Sequence, residues 1–163
     1  MKFAPPIVVL VLLWSACAIG AEARLDRVLI VQATPQQVIQ FIAANRGAIA
    51  RGNGVEATRL DSERVLLRKK TSKGPLEIVV RETWTAAGYQ SVLEEVRRGP
   101  LRALWTTVNV TPYDARGTMA VVRIVAYARA EGILVRSHDV AASLGNASRA
   151  FEAELGKRFV VSQ

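Results

Sequence analysis

RVLIVQATPQQVIQFIAANRG (residues 27–47) changes its hydrophobic period midway, and that change decides how the rest of the chain reads. Val28 to Gln32 is a short β-rich run. Thr34 then offers a side-chain oxygen at an N-cap, and Pro35 takes the first helical position, where its missing N–H costs nothing. Val38, Phe41 and Ile42 supply an apolar face at helical spacing. Asn45 and Gly47 interrupt it, so a second short helical turn is expected over 48–51 before Arg51-Gly52-Asn53-Gly54 ends the helical region. One strand followed by two short helices is the expectation for this end.

Downstream, the chain to Ala130 reads as strands. The β-rich runs are GVEATRL, RVLLRKK, PLEIVVRETWT, YQSVLEEVRR, RALWTTVNVT and TMAVVRIVAYARA, separated by turn residues. Connections this short imply antiparallel hairpins. In the last run Ala120, Val122, Ile124, Ala126 and Ala128 form one small, apolar face, while Arg123, Tyr127 and Arg129 fall on the other. A long helix follows, with Val140, Leu144, Ala147, Phe151, Leu155 and Phe159 on one stripe. Gly145 and Gly156 are unusual inside it, since glycine costs about 0.5–1 kcal/mol relative to alanine there. Two explanations stay open: close packing on the alanine-rich strand, or a thin helix that leaves a pocket beneath it.

Upstream, Lys2 precedes an apolar run, Ile7 to Trp14, and then small residues as far as Ala23. This pattern predicts a secretory signal peptide over 1–23, cut after Ala23 or after Ala21, and a single domain over 24–163. The run is short for a membrane span. Trp14-Ser15-Ala16-Cys17 also resembles a lipoprotein box, which would tether the domain through Cys17. A periplasmic or secreted location is expected, with a membrane-anchored lipoprotein as the alternative. Cys17 is the only cysteine, so the domain has neither disulfide nor thiol nucleophile. The net charge is +8, and removing Lys2 and Glu22 leaves it unchanged. A basic exported domain favours anionic partners other than nucleic acid.

The order strand, short helices, six-strand meander and long C-terminal helix resembles the helix-grip fold of the START, polyketide-cyclase and pollen-allergen superfamily, the SRPBCC domains. Residues 28–38, VLIVQATPQQV, look like that family's entry from first strand to first helix. The resemblance implies an α+β domain: a seven-stranded antiparallel sheet curled around the C-terminal helix, with a cavity between them. It further implies a small apolar or amphipathic ligand. The cavity wall would then be Val122, Ile124 and Ala126 from the last strand and Ala141, Leu144, Gly145, Ser148, Phe151 and Leu155 from the helix.

Chemistry is sparse. His138 is the only histidine, and no acidic cluster has metal-ligand spacing, so neither a metal nor a cofactor is expected. No phosphate loop or nucleophile elbow is present, and no catalytic residue is assigned. Glu82, Asn109 and Arg123 lie inside strands and either point into the cavity or stand on the solvated face. Alternating hairpin ends place Lys69, Lys70, Lys73, Arg97, Arg98, Arg102, Arg136 and His138 at one end of the sheet, beside the apolar segment Ile133 to Val135. In helix-grip proteins those loops surround the cavity mouth. Such a basic rim suits an anionic, lipid-like amphiphile and contact with a membrane surface; the plainer reading is cations guarding hairpin tips.

Three functions follow as expectations. The first is an exported carrier or sensor of an apolar or amphipathic ligand. The second is a cyclase- or hydrolase-like enzyme using Glu82, Asn109, Arg123 or Tyr127, provided several of them face inward together. The third is an accessory module that binds an unidentified protein partner through an exposed apolar patch.

Overall fold

The computed structural model describes residues 20–132 and 134–163. The signal and lipoprotein expectations for residues 1–19, and the part of the apolar loop at Ile133, lie outside the described residues. The elements run β1 (Ala21–Val31), α1 (Pro35–Gly52), β2 (Val55–Arg59), β3 (Arg64–Thr71), β4 (Gly74–Thr85), β5 (Gly88–Arg98), β6 (Leu101–Pro112), β7 (Ala120–Ala130), α2 (Ser137–Gly156) and β8 (Val161–Ser162).

All pairings are antiparallel in one sheet of order β2-β3-β4-β5-β6-β7-β1-β8. The meander is the one expected, and the first strand returns to lie beside the last long one. The eighth strand is a two-residue addition after α2, pairing Val161 with Val31 and Ser162 with Ile30.

Two boundaries differ from the sequence reading. β1 starts at Ala21, seven residues before Val28, and Ala21, Glu22 and Ala23 pair with Ala130, Arg129 and Ala128. The reason is ordinary alternation: Ala21, Ala23, Leu25 and Leu29 face inward while Glu22, Arg24 and Asp26 face water. Reading residues 21–23 as the end of a leader hid this half-buried strand. Removal of residues up to Ala23 would strip three paired residues from it.

The second boundary concerns α1, where the expected break is a kink at Asn45 between two helical segments and Gly47 stays helical. Thr34 and Gln37 form a capping box, the Gln37 N–H donating to Thr34 Oγ1 at 3.3 Å and the Thr34 N–H to Gln37 Oε1 at 3.0 Å. Asn45 leaves helical geometry (φ −109°, ψ 15°), and its Nδ2 donates to the Phe41 carbonyl at 2.8 Å. The chain bends there and continues.

The inward face of the sheet holds both helices. Leu29, Val31, Val108, Val110 and Val122 meet Val38 and Ile42 of α1 and Phe151 and Leu155 of α2 in one buried cluster. Each such side chain contributes about 1.5–3 kcal/mol relative to exposure. The alanine face of β7 packs on Val140 and Leu144 at the other end of α2.

Candidate functional site

Between the two helices and the sheet lies a cavity of about 220 Å³. Its floor comes from alternate residues of β4 to β7, among them Val80, Tyr89, Leu104, Thr106, Ile124 and Ala126. Ile42, Arg46, Ile49 and Ala50 of α1 form one wall, and Leu144, Ala147, Ser148 and Phe151 of α2 form the roof. Asn53 and Val55, both half-exposed, stand at its edge where α1 ends. Small residues on both sides, Ala126 below and Ala147 and Ser148 above, leave the space that larger side chains would fill.

The lining is apolar with one charged end. Arg46 Nη1 donates to Glu82 Oε2 at 2.6 Å; the Glu82 side chain is mostly buried and that of Arg46 half-buried. The kink at Asn45 presents Arg46 to the sheet. Its guanidinium also lies over the Trp84 ring, 5.1 Å from the centroid. Trp84 in turn stacks on Tyr89, its cross-strand partner, with centroids 4.8 Å apart. Burial, helped by the Glu82 charge, pushes the Tyr89 phenol up to about 12, so it stays protonated. Gly88 makes this hairpin possible: at φ 144° its backbone passes so close to Val108 that a Cβ would stand 1.8 Å from the Val108 carbonyl oxygen.

The roof carries an anomaly. Ser148 is only 3% exposed, and its Oγ has no hydrogen-bond partner. An unpaired buried hydroxyl is costly, by about 1–3 kcal/mol. Here it lines the cavity.

Several sequence expectations need correction. Asn109 and Arg123 are exposed on the outer face of the sheet, where Arg123 makes a two-pronged contact with Asp26 at 2.6 and 3.0 Å. Tyr127 is on that face too, its hydroxyl donating to Glu22 Oε2 at 3.0 Å. Strand alternation places all three opposite Ile124 and Val108, outside the cavity. The enzymatic alternative thus keeps Glu82 alone of its four residues. Ala141 is exposed, and a Cβ on Gly145 would meet only Arg149 of the same helix, so neither faces the cavity. The glycine therefore answers neither explanation offered for it. Val122 and Leu155 belong to the filled core rather than the cavity lining. Leu144, Ser148, Phe151, Ile124 and Ala126 do line it.

Sequence reasoning missed Arg46, hidden in what looked like a break between helices, and missed Tyr89 and Trp84. The signal for the last two was their place on the two sides of the Ala86–Gly88 turn.

The basic rim divides. The loops do share one end of the sheet, since the Glu131 N–H donates to the Pro100 carbonyl at 2.8 Å. Lys73, Arg136 and His138 line a shallow concavity with Asp139 and Leu134, the last 71% exposed. Lys69 sits nearer the cavity, its Nζ donating to Asn53 Oδ1 at 3.2 Å, and burial pushes its amine down. Arg97 pairs with Glu95 and Glu77, and Arg102 with Glu131. Lys70 and Arg98 are exposed at strand ends. Among the described residues, no group of three or more acidic, histidine or cysteine side chains could hold a metal, and no helix is long and apolar enough to cross a membrane.

No family model and no curated protein matches the chain by sequence. Solved structures do match by shape. A START superfamily protein from Mycobacterium smegmatis superposes with a TM-score of 0.64 at 10% identity, covering 82% of this chain and 97% of that one. Ara h 8.0201 gives 0.62 at 7% identity, covering 83% and 97%. The Zhui aromatase/cyclase from Streptomyces sp. R1128 gives 0.61 at 14% identity, covering 83% and 93%. Identities this low carry the fold and nothing further. The chain therefore shares the helix-grip fold of these structures.

Proposed function

We propose that the protein is an exported, non-catalytic binder of a small apolar ligand, held between the sheet and its two helices. The carrying observation is the cavity itself, about 220 Å³ of mainly apolar lining beneath α2. An apolar cavity of about 150 Å³ accepts benzene, so this one suits a one- or two-ring molecule or a short chain better than a whole diacyl lipid. The finer reading, an anionic amphiphile delivered at a membrane surface, draws support from Lys73, Arg136 and His138 around the exposed Leu134. In that reading the loop tip touches the anionic surface while the cargo moves in or out.

The test is native mass spectrometry of the protein purified gently from the envelope fraction of cells expressing the full chain, followed by extraction. A near-stoichiometric small apolar adduct is expected. A bare protein mass that takes up none of a panel of one- and two-ring hydrocarbons would overturn the binding reading. For the membrane part, sedimentation with vesicles containing phosphatidylglycerol should fall several-fold in Lys73→Glu/Arg136→Glu; equal sedimentation would remove that part alone.

A further inference from the structure

We infer that two copies of this chain join edge to edge along β1, so that their sheets become one. β1 is open on its far side: among the described residues its one neighbour there is β8, which pairs only with Ile30 and Val31. The Gln32 N–H donates to the Val160 carbonyl at 3.0 Å, and this fixes the alternation of the strand. Even-numbered residues turn their N–H and C=O groups toward the open edge. Glu22, Arg24, Asp26 and Val28 therefore offer backbone groups to a further strand, and their exposed side chains stand on the outer face of the sheet. An incoming strand can pair along residues 22–28 before it meets β8.

Charge selects the occupant. A two-fold axis normal to the sheet makes the pair antiparallel, and full overlap of residues 22–28 centres it on Leu25. Arg24 then stands directly opposite Asp26 of the second copy, and Asp26 opposite its Arg24. Opposite charges facing one another across strands are favourable, and like charges are not. A slide of two residues one way sets Arg24 against Arg24 and Glu22 against Asp26; the other way sets Asp26 against Asp26. The edge is thus complementary to itself in one register. Both side chains are already ordered on that face, Arg24 over the Tyr127 ring at 5.6 Å from its centroid and Asp26 by Arg123.

The helix above fits the same arrangement. α2 lies over β1 and β7, with Ala150 turned toward Gly52 of α1 and Glu152 paired with Arg27 of β1. Helical spacing puts Ala141 and Gly145 on the Glu152 side, the flank toward the open edge. Ala141 is exposed, and a Cβ on Gly145 would meet only Arg149 of the same helix. Across the axis the two α2 helices run antiparallel, and helices approach to about 8–10 Å where the contacting side chains allow it. Small residues on this flank leave room for that approach, which gives Gly145 a reason the cavity and the core do not supply.

Sedimentation velocity over a concentration series, on the protein purified from cells expressing the full chain, tests the pairing. A concentration-dependent dimer is expected. Arg24→Asp and Asp26→Arg each set like charges opposite one another twice, and each should weaken dimerisation about tenfold or more. The combined variant Arg24→Asp/Asp26→Arg exchanges the two signs and should recover most of the lost affinity, a rescue that a folding defect cannot imitate. Gly145→Trp fills the flank of α2 and should weaken the dimer about tenfold, while the monomer keeps its unfolding midpoint. A protein that stays monomeric at every concentration overturns the inference. So does a dimer indifferent to both single charge changes, or one that the combined variant fails to restore. A dimer indifferent to Gly145→Trp overturns the part played by α2.

Discussion

The two halves of α2 lie on the same sheet and treat it differently. Toward its C-terminus, Leu155 sits fully buried among Leu29, Val110 and Val122, and the space is filled. About two turns earlier, Ala147 and Ser148 line open space over Ala126 and Thr106, before Val140 and Leu144 close on the alanine face of β7. Both follow one inward stripe. Side-chain volume distinguishes them. The difference suggests that one half stabilises the domain and the other was kept small for a guest.

The largest effect should come from breaking the filled half. Leu155 is fully buried, so Leu155→Ala should cost about 2–5 kcal/mol in denaturant unfolding. The folded fraction should still take up a two-ring hydrocarbon such as naphthalene normally. Loss of binding in proportion greater than loss of fold would mean that the halves are not separate.

A matched pair of enlargements sharpens the contrast. Val122→Leu adds volume where Val122 is completely buried in the filled cluster, and should destabilise by about 1–3 kcal/mol. Ala126→Leu adds volume on the cavity floor and should cost less than that while abolishing probe binding. Equal stability losses at both positions would show that the cavity is not available space.

How far this contrast was legible in the sequence depends on the element. The α2 stripe and the small face of β7 were visible, because strict three-four and alternate spacing tells which side is inward. Their residue sizes also hinted at space. Residues 21–27 were not read as strand because their alternating charges conceal the apolar period of the inward face. Arg46 was missed because it follows the break at Asn45, where nothing in the local sequence says which way the resumed helix faces. Asn109 and Arg123 were ambiguous, since polar strand residues take either face and the register that decides it is a long-range property. Pairing of Arg46 with Glu82 spans two distant elements, and local spacing carries no sign of it.

A chain beginning at Arg24 tests the β1 boundary. It lacks Ala21, which is 5% exposed, the neighbouring pairs with β7, and the Glu22 acceptor of Tyr127. Compared with a chain beginning at Ala21 it should be less stable by about 1–2 kcal/mol, read from denaturant midpoints. Tyr127, which Glu22 helps keep protonated, should titrate at lower pH in the shorter chain. Equal stability would mean that the start of β1 contributes nothing, and cleavage after Ala23 would then leave a complete domain. If the difference appears, any processing of the chain as an exported protein should leave Ala21 at or near the N-terminus, which N-terminal sequencing reads directly.

The smallest effect concerns Tyr89 and distinguishes the charged end of the cavity from the surface. Its phenol, pushed up to about 12 by burial and then by Glu82, should give a late transition when tyrosinate absorbance is followed. The sign for stability follows from which state loses its proton first. In the unfolded chain the phenol ionises near 10.0, and in the folded chain near 12. Above the first value the unfolded state is increasingly favoured, so the contribution is present below pH 10 and is lost as pH rises toward 12. Glu82→Gln removes one of the two causes that raise the pKa and should move the transition down, though less than full exposure would, because burial is the larger cause. A bound naphthalene should move it up by excluding water further from the same space. A Tyr89 transition indifferent to both would place the phenol outside the ligand's surroundings, and the filled and open halves of α2 would then differ in volume without differing in role.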